Sequence, residues 1–143
     1  MSQENVEIVR RIYEGWATGD FSAGVDDLDR HVVFIVSPDF AAFGVFVGLD
    51  GTSDFIRDFL EQWELATFEA KRLQAVGDTV LAHVVQHSKG RASGIEGELP
   101  YFMLFTFRGK KIVRLEAVMD EREAVEAVGL SEQDAHQDRK SVV

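Results

Sequence analysis

His83, His87, Tyr101, Gln86 and Tyr13 are the side chains of this chain with chemistry to offer. Histidine titrates near neutral pH and is the commonest general base. His83 and His87 stand four residues apart in a strand-like run, so they share one face. Residues at that spacing lie ~13 Å apart along a strand, too far to share a metal ion, and no third ligand stands nearby. No metal site is expected. The pair belongs either to an interface between subunits or to a catalytic site. A parity change or a bulge would turn it inward and bring His83 toward Glu116, making a His–carboxylate base. Tyr101 and Gln86 are polar groups in otherwise apolar rows, and such groups have defined partners, here a ligand or else water and backbone. Tyr13 and Trp16 fall on one helical stripe, as core or with the hydroxyl and indole N–H at a pocket mouth. Asp26, Asp27, Asp29, Glu61, Glu64, Glu121 and Glu126 read as solvated faces, with Glu96 and Glu98 at a rim. The connection from Arg91 to Gly94 lacks the context of a phosphate loop.

The elements that position these groups follow from periodicity. Val6, Val9, Ile12, Tyr13 and Trp16 recur at helical spacing and predict an amphipathic helix over residues 3–18. Gly19 suits its C′ position, and Asp20 suits the N-cap of a short second helix over 21–29. His31 to Ser37 is β-branched and aromatic, hence a strand that Pro38 stops. Phe40 to Phe46 is unusually apolar for a connection: a short strand with a buried turn, or a lid over a pocket with Gly44 and Gly48 as its hinges. Asp50 is then expected to cap a helix carrying Phe55, Ile56, Phe59, Leu60 and Trp63 on one face, Trp63 serving as wall or core. Strands follow at 68–76 and 79–88, turning at Gly77-Asp78. Leu99 to Phe107 and the run from Val113 to Met119 follow in turn, joined by the hairpin signal Arg108-Gly109-Lys110. Asp120 and Glu123 form a reciprocal capping pattern for a closing helix that ends at Gly129 with Leu130 behind it. One domain over 1–130 is expected, with a polar, frayed tail over 131–143. Helices first and a mostly antiparallel sheet after them imply an α+β fold with the helices on one face.

Bulk composition excludes several functions. The 143 residues carry a net charge of −10, which argues against nucleic acid as a partner. There is no Cys, hence no disulfide, thiolate nucleophile or Cys-based metal site. The N-terminus reads as an acidic helix start rather than a signal peptide, and no run approaches the ~20 apolar residues that span a bilayer. A cytoplasmic protein free of membranes is the expectation.

The order of elements resembles the SnoaL-like, polyketide cyclase-like branch of the nuclear transport factor 2-like superfamily. The resemblance is carried by Val9 to Tyr13 with Gly19-Asp20-Phe21, by Phe105 to Arg114, and by Asp120 to Ala124, and spans about residues 4–130. It implies a cone: a strongly curved sheet around a pocket, with N-terminal helices packed on the concave face. It also implies a dimer through the convex face. The outward row Phe102, Leu104, Ile112 and Val118 would otherwise leave an apolar patch exposed. Steroid isomerases of this superfamily use a first-helix Tyr, an Asp base at the end of the first strand and a protonated Asp deep in the sheet. Ile12, Ser37 and Met103 fall at those positions, with Tyr13 one residue off, and Ala117 falls near the last-strand Asp of the epoxide hydrolases. The known acid–base sets of the fold are therefore absent.

Alignment to the family puts Val80, Ala82, Val84 and Gln86 inside the cone and His83 and His87 outside. In the last two strands the odd positions form the more apolar row, which places Tyr101, Met103, Phe105, Leu115, Ala117 and Met119 inside. The pocket set adds Trp16, Ser37, Trp63 and Gln86. The catalytic candidates are Tyr101 or Tyr13, to polarise an oxygen, and His83, if inward, to move the proton. The expected function is binding, or turnover, of a small apolar molecule such as a polyketide, terpenoid or steroid-like ring, without a cofactor. Two other readings stand beside it. One is a non-catalytic dimeric module whose cone is filled by its own Phe and Met side chains. The other is an interaction module that meets a partner protein through Phe40 to Phe46.

Overall fold

The structure is a computed structural model that describes residues 2–129. Its elements are α1 (Ser2–Ala17), a 3-10 turn (Val25–Asp27), β1 (Leu28–Val36), β2 (Gly44–Val47), α2 (Gly48–Glu61), β3 (Trp63–Val76), β4 (Thr79–Gly90), β5 (Glu96–Arg108) and β6 (Lys111–Val118). A further helix, α3, covers 121–129. The six strands form one sheet in the order β2-β1-β6-β5-β4-β3. Only the β1–β6 pairing is parallel. The α+β class and the mostly antiparallel sheet are as expected. Residues 131–143, where a frayed tail is expected, and Leu130 of the expected helix stop lie outside the described residues.

α1 buries Ile8, Val9, Ile12 and Tyr13 against the sheet. It stops where Gly19 takes a φ of 88°, while Asp20 N–H donates back to the Gly15 carbonyl at 2.9 Å. No second helix follows. The Asp20 carboxylate accepts from the Ser22 N–H at 3.2 Å, making a local turn. Gly24 then takes a φ of 94°, with Ile12 so close that a Cβ there would stand 2.8 Å from its Cγ1. Close packing against α1 thus shortens the expected helix to a single 3-10 turn. α2 begins earlier than expected: Val47 is its N-cap without a side-chain bond, and Asp50 lies inside the first turn. It also ends earlier, so that Trp63 opens β3.

Strand alternation divides the sheet into two clusters. The larger one, on the face covered by α1 and α2, gathers Phe34, Ala82, Val84, Tyr101, Met103 and Phe105 among others. The smaller one, on the opposite face, holds Leu81, Leu104 and Val118 beneath Ala124 and Val128 of α3. The N-terminal helices α1 and α2 lie on one face, as expected, while the closing helix α3 docks on the back of the sheet. Leu104 and Val118 are 3% exposed each, so the apolar row that called for a subunit partner is covered in part by the chain itself. Ile112 does not belong to that row at all. The β5–β6 register shifts between Thr106 and Phe107, which turns Ile112 into the larger cluster.

A candidate ligand cavity on the concave face

Between the concave face, α1, α2 and the segment after β1 lies a cavity of about 540 Å³. Three elements supply much of its wall away from the central strands. Phe34 and Val36 come from β1, Phe55 and Phe59 from α2, and Phe40, Ala41 and Ala42 from the segment that expectation left open between strand-and-turn and lid. That segment supplies a cavity wall before β2 starts at Gly44. The aromatic wall is rigidly packed: Phe46 stacks on Phe55 at 4.2 Å between ring centroids, and Phe34 meets Phe55 edge-on at 5.6 Å. Phe40 meets Tyr101 edge-on at 5.5 Å.

Trp16, Trp63, Gln86 and Tyr101 line this cavity, as do Met103, Phe105, Leu115 and Ala117. Five other candidates lie elsewhere. The Ser37 hydroxyl donates to Glu123 Oε2 at 3.3 Å and accepts from the Asp39 N–H at 3.3 Å, so it is committed to the cap of α3. Met119 follows the end of β6, outside the alternation that directs Leu115 and Ala117 inward, and packs at the edge of the main cluster. Tyr13 lines a separate groove of about 320 Å³ between α1 and β3. Its hydroxyl is buried without a hydrogen-bond partner. Burial first, and then the neighbouring Tyr101, push its phenol well above the ordinary range. His83 lies on the convex face, between Ala82 and Val84 of the concave cluster, with its ring 4.8 Å from that of Phe102. His87 is on the same side, flanked by Glu69 at 3.7 Å and Glu98 at 3.3 Å.

The cavity is poor in charge. Among the described residues that line it, only Glu98 carries an acid or base group of the carboxylate, imidazole, ammonium or guanidinium kind, and its carboxylate lies 3.3 Å from the His87 ring on the convex side. The polar groups facing the space are neutral. Trp16 spends its indole N–H on the Ala23 carbonyl at 3.2 Å. Burial holds the Tyr101 phenol above its ordinary value, so it stands as a hydrogen-bond donor. Gln86 Nε2 reaches Ser88 Oγ at 3.5 Å, the long limit of a hydrogen bond. The arrangement can hold an apolar ring and donate to an oxygen on it. Among the described lining residues nothing is placed to abstract a proton from that ring.

Reading the sequence missed Phe34, Phe40, Phe55 and Phe59 as walls. The alternation of Val32, Phe34 and Val36 carried the signal for the first, and the apolar stripe of α2 carried it for the last two. It also missed a cluster away from the cavity, where carboxylate oxygens of Asp39, Asp120 and Glu123 lie within 4.8 Å of one another.

Solved structures give the class of this architecture. An NTF2-like protein of Burkholderia thailandensis is 22% identical over 86% of this chain and 95% of its own, with a TM-score of 0.73. A putative SnoaL-like polyketide cyclase of Jannaschia sp. is 18% identical over 89% and 92%, with a TM-score of 0.72. TerC, co-crystallised with polyporic acid, is 17% identical over 88% and 98%, with a TM-score of 0.71. The fold is the nuclear transport factor 2-like cone. The family is more specific: the SnoaL-like domain matches residues 9–115, and the chain belongs to that family. No curated protein matches it. Among the described residues no helix is long and apolar enough to cross a membrane.

Proposed function

We propose that this chain binds a small, largely apolar ring molecule, of polyketide, terpenoid or steroid-like character, inside the cone. The observation that carries the reading is the open cavity of about 540 Å³, whose walls are aromatic and whose inward polar groups, Tyr101 and Gln86, are neutral. A cone filled by its own Phe and Met side chains would leave no such space. The co-crystal of TerC with polyporic acid gives a ring compound held by a protein of the same fold. Proton transfer of the cyclase or isomerase kind would have Tyr101 polarise a ligand oxygen. His83, across the sheet, takes no part in it. A homodimer joined through the convex face goes with this reading, since Phe102 and His83 pack together on that face beside the small cluster, and the cytoplasm is its proposed location.

A thermal-shift panel of apolar ring compounds tests the binding, with Met103→Arg as the variant that blocks the cone. At a concentration of ~100 Kd a true ligand stabilises by about 2.7 kcal/mol, a rise of roughly 5 to 10 °C in Tm for a domain of this size. The expected outcome is a shift in the wild type that vanishes in a folded Met103→Arg. Equal shifts in both proteins would place binding outside the cone and overturn the reading.

A further inference from the structure

Two of the polar groups that line the cavity, Tyr101 and Gln86, stand together at one place on its wall. In the β4–β5 register Val84 faces Tyr101 and Gln86 faces Leu99, so Tyr101 and Gln86 are diagonal neighbours on the concave face. Such neighbours lie roughly 7–8 Å apart, with their Cβ atoms somewhat closer. Both residues are 5% exposed and both line the cavity. They are complementary in what they lack. The Tyr101 hydroxyl has no hydrogen bond to another described residue: the Phe40 ring beside it brings no acceptor, and the neighbouring Tyr13 hydroxyl is not bonded to it. The Gln86 amide directs its nitrogen to Ser88 Oγ and leaves its carbonyl oxygen unpartnered, flanked in register by the apolar Phe68 and Leu99. One group therefore offers a donor and the other an acceptor, each costly to leave unmade in a desolvated site.

We propose that Tyr101 and Gln86 together read one edge of the ligand, a carbonyl oxygen beside a hydroxyl, so that the cone selects neutral cyclic hydroxy-ketones over the same rings without either group. The inference rests on the binding reading above and gives that ligand its chemical class. Neutrality follows from the walls: among the described residues no Lys or Arg lines the cavity, the whole chain carries a net charge of −10, and the Glu98 carboxylate lies 3.3 Å from the His87 ring on the convex side. An anionic ligand would enter without a counter-charge, and a cationic one would find no buried carboxylate.

Equilibrium dialysis against tetralin, 1-tetralone, the hydroxy-1-tetralones and their methyl ethers tests it, with wild type, Gln86→Leu and Tyr101→Phe. In the wild type at least one hydroxy-1-tetralone should bind about tenfold more tightly than 1-tetralone, and its methyl ether should lose that gain. 1-Tetralone should in turn exceed tetralin severalfold. Gln86→Leu should erase the gain from the hydroxyl, so that it binds hydroxy-1-tetralone and 1-tetralone alike, and Tyr101→Phe should erase the gain from the carbonyl, so that it binds 1-tetralone and tetralin alike. Gln86→Met serves the same purpose should the leucine variant not fold. If every compound binds the wild type with one affinity, the edge-reading proposal is overturned while binding in the cone stands. If none binds, tetralin included, the binding reading falls and this inference falls with it.

Discussion

The two faces of the sheet are built from alternate residues of the same strands, yet they differ in kind. On the concave face Tyr101, Met103 and Phe105 meet aromatic side chains of α1, α2 and the segment after β1, around an open space. On the convex face the polar residues neutralise one another at the surface. Lys71 pairs with Glu69 at 2.7 Å, Arg114 with Glu116 at 3.1 Å, and His87 lies between Glu69 and Glu98. Exposed pairs of that sort contribute little, typically under ~1 kcal/mol. They keep a surface wet without preparing it for chemistry. The concave face does the reverse, holding a few hydrogen-bonding groups dry and uncharged, which is what recognition of a neutral ring requires.

Adjacent residues of β5 allow this contrast to be broken deliberately. Phe105 is 1% exposed and meets Tyr13 edge-on at 5.8 Å. Phe105→Ala should cost about 3–5 kcal/mol in urea unfolding, the largest effect expected, and should alter ligand affinity because it changes a cavity wall. Leu104, its neighbour, faces the other way, beneath Ala124 and Val128. Leu104→Ala should cost about 2–4 kcal/mol, lower the hydrogen-exchange protection of 121–129 and leave ligand affinity unchanged. A folded Leu104→Ala that no longer binds would show that the two faces are not independent.

Which face a residue takes was legible wherever alternation ran without interruption. Tyr101, Met103 and Phe105 could be placed inside from their period alone, and so could Leu115 and Ala117. Alternation fails where the backbone inserts a residue. The register shift at Thr106/Phe107 reverses parity for Ile112, and nothing in the side chains around it announces a bulge. Helix signals fail where packing overrides them. Asp20 looks like an N-cap, but the Gly24 backbone pressed against Ile12 admits only a 3-10 turn. Long-range polar contacts were the least legible. Ser37 falls where the family resemblance implies a first-strand pocket residue, and its actual partner, Glu123, lies 86 residues further along the chain in α3. The docking of α3 was hidden for a related reason. Its contact is made by Ala124 and Val128, side chains too small to mark a buried face.

The junction between the two faces gives the smallest and most specific test. Asp39 follows the concave strand β1, whereas Asp120 and Glu123 open the convex helix α3, with the Glu123 N–H donating to Asp120 Oδ1 at 2.8 Å. The hydrogen bond shared with Asp39 is the main cause that holds the Glu123 carboxyl above its ordinary value. Burial and the charges of Asp39 and Asp120 add to it, and the Ser37 hydroxyl opposes it. A folded state that keeps a proton the unfolded chain would release is favoured at low pH. The stability this contributes is fully present below the ordinary carboxylate pKa of about 4.3 and is lost as pH rises through the higher folded-state value. Above that point Asp39 and Glu123 are both ionised and repel each other across the junction. Asp39→Asn keeps the shape, removes one charge and should raise Tm near pH 7. The gain should stay under about 1 kcal/mol, as for other solvent-accessible charges, and should shrink toward pH 4. A melting series across that range, wild type against Asp39→Asn, reads the effect as two profiles that converge at the acid end. Parallel profiles would mean that the three carboxylates are near one another without sharing a proton, and that the faces are joined there by the Ser37–Glu123 hydrogen bond alone.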